Sequence, residues 1–239
     1  MRYLSLASFL LAAPLVASAQ TTSLNVNNFN FETGGVADGT FSNNPGVIPT
    51  GWTAITNNAP SGNFFGYFNP DNSGFAGTSG TPGTIGTMNG PNVFYFGSST
   101  TGQGIQQTLG TNFALNTSYT LTTAIGCRSS NTYQGSVTME IYAGSTLLVT
   151  GTFLNSTANT FSDYSLTYTG DGSTNAGLVG SPLLIRLSEF DQNATVTEAD
   201  VDNVRLTATS VVPEPSTWAG GVGLLVATAA VWRRRLAAC

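Results

Sequence analysis

The sequence predicts an all-β protein whose body is one antiparallel β-sandwich. Three observations support this fold class. Apolar and polar residues alternate with a period of two in several segments, turns that contain glycine, asparagine or serine separate these segments, and no segment of the body has a helical 3.6-residue period. Short strands joined by regular turns are typical of sandwiches. The 239-residue chain has an apolar stretch near each end, so we place the sandwich at residues 22–210.

Residues 1–19 are predicted to be a secretory signal peptide. Arg2 gives a positive start, and the apolar run Leu4–Val16 is too short to be a stable transmembrane anchor. Ala17 and Ala19 supply the small side chains that signal peptidase accepts, and we expect cleavage after Ala19. The alternative is an N-terminal anchor that is not cleaved.

The sandwich is predicted to open with Asn27–Glu32. In an extended segment, Phe29 and Phe31 would face one side and the polar residues the other. Trp52 follows a Pro-Thr-Gly turn and is predicted to lie in the core, with a sugar-stacking platform as the alternative. The Gly/Thr-rich stretch Gly74–Pro91 has little apolar content and is predicted to be a long surface loop.

The second half of the body contains the clearest strand patterns. Threonine is abundant in these segments, as expected on a pleated, half-exposed surface. The predicted strands are SYTLTTAIG, SVTMEIYAG, TLLVTGTF, FSDYSLTYTG, LLIRLSEF and DNVRLTAT.

The last predicted strand carries a carboxylate at an informative position. Strict alternation would place Asp202, Val204 and Leu206 on one face and Val201 and Arg205 on the other. Asp202 would then lie on the inward side of the sheet. A carboxylate there needs a partner, because burying an unpaired charge is costly.

The composition excludes several functional classes. The chain has no histidine, which rules out Ser-His-Asp triads, Cys-His pairs and histidine-ligated metal sites. All seven basic residues are arginine, so a P-loop lysine and a Schiff-base lysine are absent as well. The body holds three arginines and eleven acids, a net charge of −8. This charge disfavours nucleic acid as a partner and suits divalent cations or neutral sugars.

The C-terminal residues 212–236 consist of three parts. The motif Val212-Pro213-Glu214-Pro215-Ser216 comes first, an apolar stretch follows, and the cluster Arg233-Arg234-Arg235 comes last. The 15 residues from Trp218 to Trp232 would form about 22 Å of helix, against about 30 Å of hydrocarbon in a bilayer. A short transmembrane helix with its arginines on the cytoplasmic side is therefore predicted.

This order resembles the PEP-CTERM sorting signal of Gram-negative bacteria. The resemblance implies that an exosortase, a membrane enzyme similar to a transpeptidase, cuts near the Pro-Glu-Pro triplet. The protein would then be released or transferred to the cell surface or the extracellular matrix. Proteins with this signal accompany exopolysaccharide systems, so extracellular polysaccharide is an expected partner. An ordinary single-span tail anchor is the alternative.

Four patches of the body carry a second resemblance. They are NNFNFE, IPTGWT, GIQQTLGTNFALNTSYTLTTAIG and VDNVRL. The body resembles jelly-roll carbohydrate-binding modules with a galactose-binding-like fold, and it is also similar to the calcium-dependent cyclases of indole alkaloid biosynthesis. The resemblance implies a structural Ca²⁺ held by Glu32 and Asp202, with Asn30 and Asp200 as further ligands. Hard oxygen ligands suit Ca²⁺. The alternative is that these carboxylates cap turns or pair with Arg205 or Arg186.

Three functions are compatible with these observations. The first is a non-catalytic surface or matrix protein, structural or glycan-binding, in which Tyr67, Tyr95 and Tyr133 would stack on sugar rings. The second is a calcium-dependent enzyme of the same fold, cyclase- or glycosidase-like. The cyclase resemblance implies a carboxylic acid as proton donor, and Asp202 is the best-placed candidate. The third is an adhesion or self-assembly subunit that uses exposed strand edges. We expect the first function and no catalysis.

The intact mass of the protein recovered from the exterior of its native cell tests both predicted cuts. We expect a chain that begins after Ala19 and ends near the Pro-Glu-Pro triplet, with or without an attached group. Recovery of the full-length chain from the membrane fraction would contradict the sorting prediction.

Overall fold

The computed structural model describes eight ranges of the chain: 19–42, 47–55, 64–70, 87–98, 103–128, 135–170, 173–190 and 197–210. Most of the predicted signal peptide, Tyr133 and the whole predicted sorting signal at 212–236 lie outside these ranges. Within them, no helix is long and apolar enough to cross a membrane.

The described strands form two sheets. Sheet A contains β1 (Gln20–Leu24), β3 (Phe64–Phe68), β4 (Val93–Ser98), β6 (Thr117–Cys127), β9 (Thr160–Thr169) and β11 (Thr197–Ser210). Sheet B contains β2 (Thr53–Ile55), β5 (Gly104–Asn112), β7 (Ser136–Ala143), β8 (Thr146–Phe153) and β10 (Pro182–Phe190). One short 3₁₀ helix, Ala176–Leu178, is also present.

The strand order identifies β11 as a central strand. Sheet A runs β3-β4-β11-β6-β9, with β1 also paired to β11, and sheet B runs β2-β5-β10-β7-β8. The ladders within these two paths are antiparallel. The predicted antiparallel sandwich is confirmed, and the six strands predicted in the second half of the body correspond to β6 through β11.

The core lies between the two sheets and is rich in aromatic rings. The ring of Phe94 lies 5.4 Å from the rings of both Phe31 and Phe96. Burying a side chain of this size contributes about 1.5–3 kcal/mol. Trp52 is 5% exposed, and its Nε1 donates a hydrogen bond to the carbonyl oxygen of Asn27 at 3.0 Å. The prediction that Trp52 is a core residue is therefore confirmed.

The opening segment is a turn, so the strand predicted at Asn27–Glu32 is wrong. The Phe31 amide donates to the carbonyl oxygen of Asn28 at 3.2 Å, and the Asn28 side chain accepts a hydrogen bond from the Thr33 amide at 3.0 Å. Local bonds of this kind from an asparagine compete with strand pairing. Phe31 has a φ of 54°, which bends the chain and directs its ring into the core.

β11 contains a bulge between Asp202 and Arg205. Asn203 adopts a left-handed φ of 49°, and its Nδ2 donates a hydrogen bond to the carbonyl oxygen of Thr87 at 2.9 Å. The Val204 amide donates to the carbonyl oxygen of Phe29 at 2.8 Å. An extra residue in one strand reverses the alternation of side chains beyond it.

The bulge overturns the predicted face assignment of this strand. Val201, Val204 and Leu206 all belong to the core between the sheets. Asp202 follows Val201 directly and therefore points to the opposite, outer face of sheet A. The Asp202 carboxyl therefore lies on the opposite side of the sheet from Val204 and Leu206, with which strict alternation groups it.

Substitutions of Asn203 test the bulge. Asn203→Gly and Asn203→Ala both remove the bond to Thr87, but only alanine meets the steric cost of a left-handed residue, about 1–2 kcal/mol. We expect chemical denaturation to give Asn203→Gly a free energy of unfolding about 1 kcal/mol higher than that of Asn203→Ala. Thr207, in the regular part of the same strand, is the control: there alanine should be more stable than glycine. If the alanine variant were more stable than the glycine variant at both positions, the left-handed bulge would be contradicted.

Candidate functional site

The outer face of sheet A carries a second, smaller apolar cluster. Its members are Phe68, Met88, Val93, Tyr95, Ala124 and Phe161, and we call it the outer cluster. Val93 and Tyr95 alternate along β4 with Phe94 and Phe96, which face the core between the sheets. β4 is therefore buried on both faces, whereas a strand of an antiparallel sheet with one solvated face is buried on one face only.

Three carboxyl groups lie on the same outer face. Alternate positions of β11 carry Glu198, Asp200 and Asp202. Their side chains point away from the core, into which Ala199 and Val201 point. We call them the acid row. Asp200 pairs in register with Tyr95 of β4, so the acid row runs beside the outer cluster.

Arg128 joins two members of the acid row. Its Nε and Nη2 donate to the two carboxylate oxygens of Asp200 at 2.8 and 2.7 Å, a bidentate pair. Its Nη1 lies 2.5 Å from Oε2 of Glu198. The guanidinium carbon also lies 4.4 Å from the ring centre of Phe68, within the range of a cation–π contact. One cation thus serves two carboxyl groups.

Glu198 differs from Asp200 in its surroundings. Burial raises the pKa of the Glu198 carboxyl, Arg128 opposes this shift, and the negative charge of Asp200 adds to it. The Glu198 side chain is 22% exposed, whereas that of Asp200 is fully buried. Glu198 therefore combines a tendency to hold its proton with a surface that another molecule can reach.

Asp202 lies at the end of the acid row, in a corner formed by the segment 87–92. The Asn89 amide donates a hydrogen bond to Oδ2 at 2.6 Å, whereas Oδ1 is buried without a partner. Burial holds the pKa of Asp202 well above its usual range; hydrogen bonds from the Asn89 and Asn203 amides lower it, and the nearby charge of Glu32 raises it. An orphaned, fully buried carboxylate oxygen of this kind requires a proton or a cation.

Glu32 reaches the same corner from the opening turn. The Asn92 amide donates to its Oε1 at 2.8 Å, and the Asn92 side chain donates to its Oε2 at 2.7 Å. Gly90 has a φ of 105°, and a Cβ at that position would lie 2.1 Å from Oε1 of Glu32. Only glycine allows the backbone to approach the carboxylate so closely.

The residues of this corner fit Ca²⁺ in part. Two carboxyl groups from distant parts of the chain influence each other electrostatically, and one oxygen has no partner. The described ranges contain no group of three or more Asp, Glu, Cys or His residues that could hold a metal ion. Further oxygen ligands would therefore have to come from carbonyl groups or water, which Ca²⁺ accepts.

Asp200, a further predicted ligand, pairs with Arg128 in the described contacts and not with this corner. Both of its carboxylate oxygens accept hydrogen bonds from Arg128. Asn30 lies on the opening turn, and among the described contacts none joins its side chain to Asp202 or Glu32. Glu32 and Asp202 are the two predicted ligands that the fold brings together.

A comparison with protein families decides the relationship. The model of the HpiC1-like family, described as HpiC1 cyclase, matches residues 22–207. This match covers the sandwich from within β1 to within β11. The chain belongs to the HpiC1-like cyclase family. No curated protein matches it.

Solved cyclases have the same fold. A Stig cyclase, Fisc from Fischerella sp. TAU in complex with (3Z)-3-(1-methyl-2-pyrrolidinylidene)-3H-indole, is 23% identical with a TM-score of 0.59 over 79% of this chain and 98% of that chain. An apo cyclase from Fischerella sp. is 22% identical, with a TM-score of 0.61 over 81% and 98%. A cyclase from Fischerella sp. TAU in complex with 4-(1H-indol-3-yl)butan-2-one is 23% identical, with a TM-score of 0.60 over 80% and 100%.

Membership in the HpiC1-like family overturns the expectation of a non-catalytic protein. The family model is that of a cyclase, and the match extends over nearly the whole sandwich. The absence of histidine and lysine excludes many mechanisms but leaves carboxyl groups, which serve as general acids and bases. The composition therefore gave no ground to exclude catalysis.

The predicted sugar-stacking tyrosines are not available for that role. Tyr67 is 1% exposed in the core, and its hydroxyl donates to the carbonyl oxygen of Thr33 at 2.7 Å. Tyr95 is 6% exposed in the outer cluster, and its hydroxyl donates to the carbonyl oxygen of Ser42 at 2.9 Å. Buried rings with bonded hydroxyls cannot present a face to a sugar. Tyr133 lies outside the described residues.

Sequence reasoning missed Arg128 and Glu198. The alternation of residue types does not point to Arg128, because its partners Glu198 and Asp200 are 70 and 72 positions away in the sequence. A usable signal existed in the pattern Glu198-x-Asp200-x-Asp202. Three acids with strand periodicity share one face, and such a face requires cations or protons.

Proposed function

We propose that this member of the HpiC1-like family is a cyclase that works by general acid catalysis on the outer face of sheet A. One observation carries the proposal: the acid row lies beside a buried aromatic cluster. Carboxyl groups in apolar surroundings retain their protons at higher pH than in water, which is the condition for donating one. The family match supports the reaction class.

The proposed reaction is a proton-initiated ring closure. A protonated carboxyl group gives its proton to a carbon of an unsaturated substrate, and the resulting cation is attacked by a second π bond of the same molecule. A carbon–carbon bond forms, and loss of a proton to the carboxylate restores the acid. The ring of Phe68 lies against the guanidinium of Arg128 and holds this positive charge beside the acid row.

The proposed substrate class is an apolar molecule that contains an indole ring. Two of the solved cyclases were crystallised with indole-containing ligands. The outer cluster gives the acid row apolar surroundings, which suit a flat, apolar ring system better than a polyhydroxylated sugar. An extracellular polysaccharide remains a predicted partner of the exported protein, separate from this site.

We propose further that Ca²⁺ binds between Glu32 and Asp202. The orphaned Oδ1 of Asp202 and the proximity of two carboxyl groups support this assignment. The ion would supply charge neutralisation and no step of the reaction. Its structural effect would be to hold the 87–92 segment against the bulge of β11, where Asn89 and Asn203 already contact both sides.

The signal peptide at 1–19 and the sorting signal at 212–236 remain part of the proposal. They describe an exported cyclase that is anchored briefly in the inner membrane before transfer to the cell surface or the extracellular matrix. The support is the order of motif, apolar stretch and arginine cluster in the sequence.

Removal of calcium tests the corner at Asp202. Burial raises the pKa of Asp202 in the folded state; the charge of Glu32 adds to this shift and Arg205 opposes it. When a chelator has removed the ion, the folded protein therefore keeps a proton on Asp202 at pH values where the unfolded protein has lost it. Stability is then highest below the unfolded pKa and falls as the pH rises toward the folded pKa, by about 1.4 kcal/mol per pH unit. Adding Ca²⁺ at neutral pH should raise the thermal midpoint.

The variant Asp202→Asn should lose both the calcium response and this part of the pH dependence. Asp163→Asn is the matched control, because Asp163 is a half-exposed acid of sheet A that pairs with Arg205 and should keep the response. A thermal midpoint of the wild type that does not change on chelation would contradict the calcium site.

Binding of 4-(1H-indol-3-yl)butan-2-one tests the proposed face. We expect saturation-transfer NMR or calorimetry to detect binding to the wild type and about tenfold weaker binding to Phe68→Leu. This variant keeps most of the apolar volume but removes the ring that orients Arg128 beside the acid row. Tyr142→Leu is the control, because Tyr142 on sheet B also lies under an arginine, 4.5 Å from Arg186. Equal losses in both variants, or no binding to the wild type, would contradict the proposed site.

A further inference from the structure

We infer that Glu198 is the proton donor of the outer face, and that Arg128 and Asp200 are the residues that position it. The inference rests on the proposed function, since it assigns a residue to the acid that the cyclase reaction needs. It replaces Asp202, the donor that the sequence favoured.

Access separates the three members of the acid row. A general acid must come within hydrogen-bond distance of the atom that it protonates. The side chains of Asp200 and Asp202 are fully buried, whereas that of Glu198 is 22% exposed. Glu198 is therefore the only member of the row that a bound molecule reaches without displacing part of the described fold.

The geometry of Arg128 leaves one Glu198 oxygen available. The guanidinium donates from Nε and Nη2 to Asp200, and its Nη1 lies 2.5 Å from Oε2 of Glu198. Among the described residues, no hydrogen bond or ion pair engages Oε1. This atom can hold a proton toward a substrate while Oε2 is fixed by the arginine.

The charges assign different roles to the two carboxyl groups. The bidentate pair with Arg128 requires Asp200 as a carboxylate. Arg128 favours the ionised form of Glu198, whereas the adjacent carboxylate of Asp200 opposes ionisation. Burial raises the pKa of Glu198 in the same direction. The only other titratable group facing Glu198 from the described strands is Tyr95 of β4.

The rings under Arg128 hold this arrangement in place. Phe68 lies 4.4 Å and Tyr95 6.0 Å from the guanidinium carbon, and Arg128 is only 14% exposed. A planar guanidinium packed on rings has one orientation for its donors. The position of Glu198 Oε2 is thus fixed from sheet A, independently of the calcium corner at Asp202.

Hydrogen–deuterium exchange of the indole probe measures proton donation without the native substrate. In D₂O, the carboxyl group gives a deuteron to ring carbon C2 of 4-(1H-indol-3-yl)butan-2-one, and the carboxylate then removes the proton from the same carbon. One C–D bond forms, one C–H bond breaks, and the carboxyl group exchanges with solvent. Proton NMR follows the loss of the C2 signal with the full chain as catalyst.

We expect Glu198→Gln to lower the exchange rate by about 10²-fold or more while binding the probe within about threefold of wild type. Glu198→Asp should recover part of the rate. The control is Glu140→Gln, because Glu140 lies beside Arg186 on sheet B and its side chain is 20% exposed, close to the value for Glu198. This control should exchange at the wild-type rate.

The pH profile identifies the positioning residues. Wild-type exchange should decline as the pH rises and Glu198 ionises. Asp200→Asn removes a negative charge and frees Arg128 for Glu198, and both effects lower the pKa of Glu198. The declining limb should therefore move to lower pH, a change that a purely structural role of Asp200 would not produce.

Each outcome decides a separate claim. Probe binding with wild-type exchange in Glu198→Gln, or binding with no exchange in the wild type, would overturn the assignment of Glu198 and leave the binding face intact. An unshifted profile in Asp200→Asn would remove the positioning role. No probe binding would overturn the proposed function and this inference with it.

Discussion

The bulge at Asn203 is the constraint on which the rest of sheet A depends. Without the extra residue, the alternation that buries Val201 would expose Val204 and Leu206, and the core would lose two apolar side chains. With it, the strand keeps its apolar side chains inside on both sides of the irregularity. Asp202 is left on the outer face next to the 87–92 segment. The same backbone feature therefore serves the core and the candidate site.

The second constraint is a shortage of cations. The outer face of sheet A has two carboxyl groups around Arg128, and a third, Asp202, whose Oδ1 has no partner. Buried carboxyl groups that lack a cation are stable only if they keep a proton or bind a metal ion. We propose one site of each kind on the described part of this face. At Glu198 the exposed surface favours a proton that can be transferred, and at Asp202 the closed corner with Glu32 favours an ion.

The sequence predicted the parts of the fold that depend on periodicity. The six strands of the second half follow the period-two pattern, and Trp52 lies in the core as expected. The errors fall where one residue departs from that period. Phe31 and Asn203 both have positive φ values, which a pattern of apolar and polar residues does not encode. The tyrosines were misjudged because Gly66, beside Tyr67, is buried among side chains rather than part of an open turn.

The site was harder to predict than the fold because its contacts join distant strands. Arg128 directly follows β6, and its carboxyl partners Glu198 and Asp200 lie on β11. Arg186 on sheet B has a similar set of neighbours: a ring from Tyr142, a carboxyl group from Glu140 at 4.0 Å, and the amide oxygen of Gln106 at 2.7 Å. The residue types on the two faces are nearly the same, and Glu140 and Glu198 are almost equally exposed. What differs is the second acceptor of the arginine, which is a neutral amide on sheet B and a buried carboxylate on sheet A. The buried carboxylate of Asp200 places a negative charge beside Glu198 and raises the pKa of Glu198, whereas the amide of Gln106 brings no such charge to its arginine.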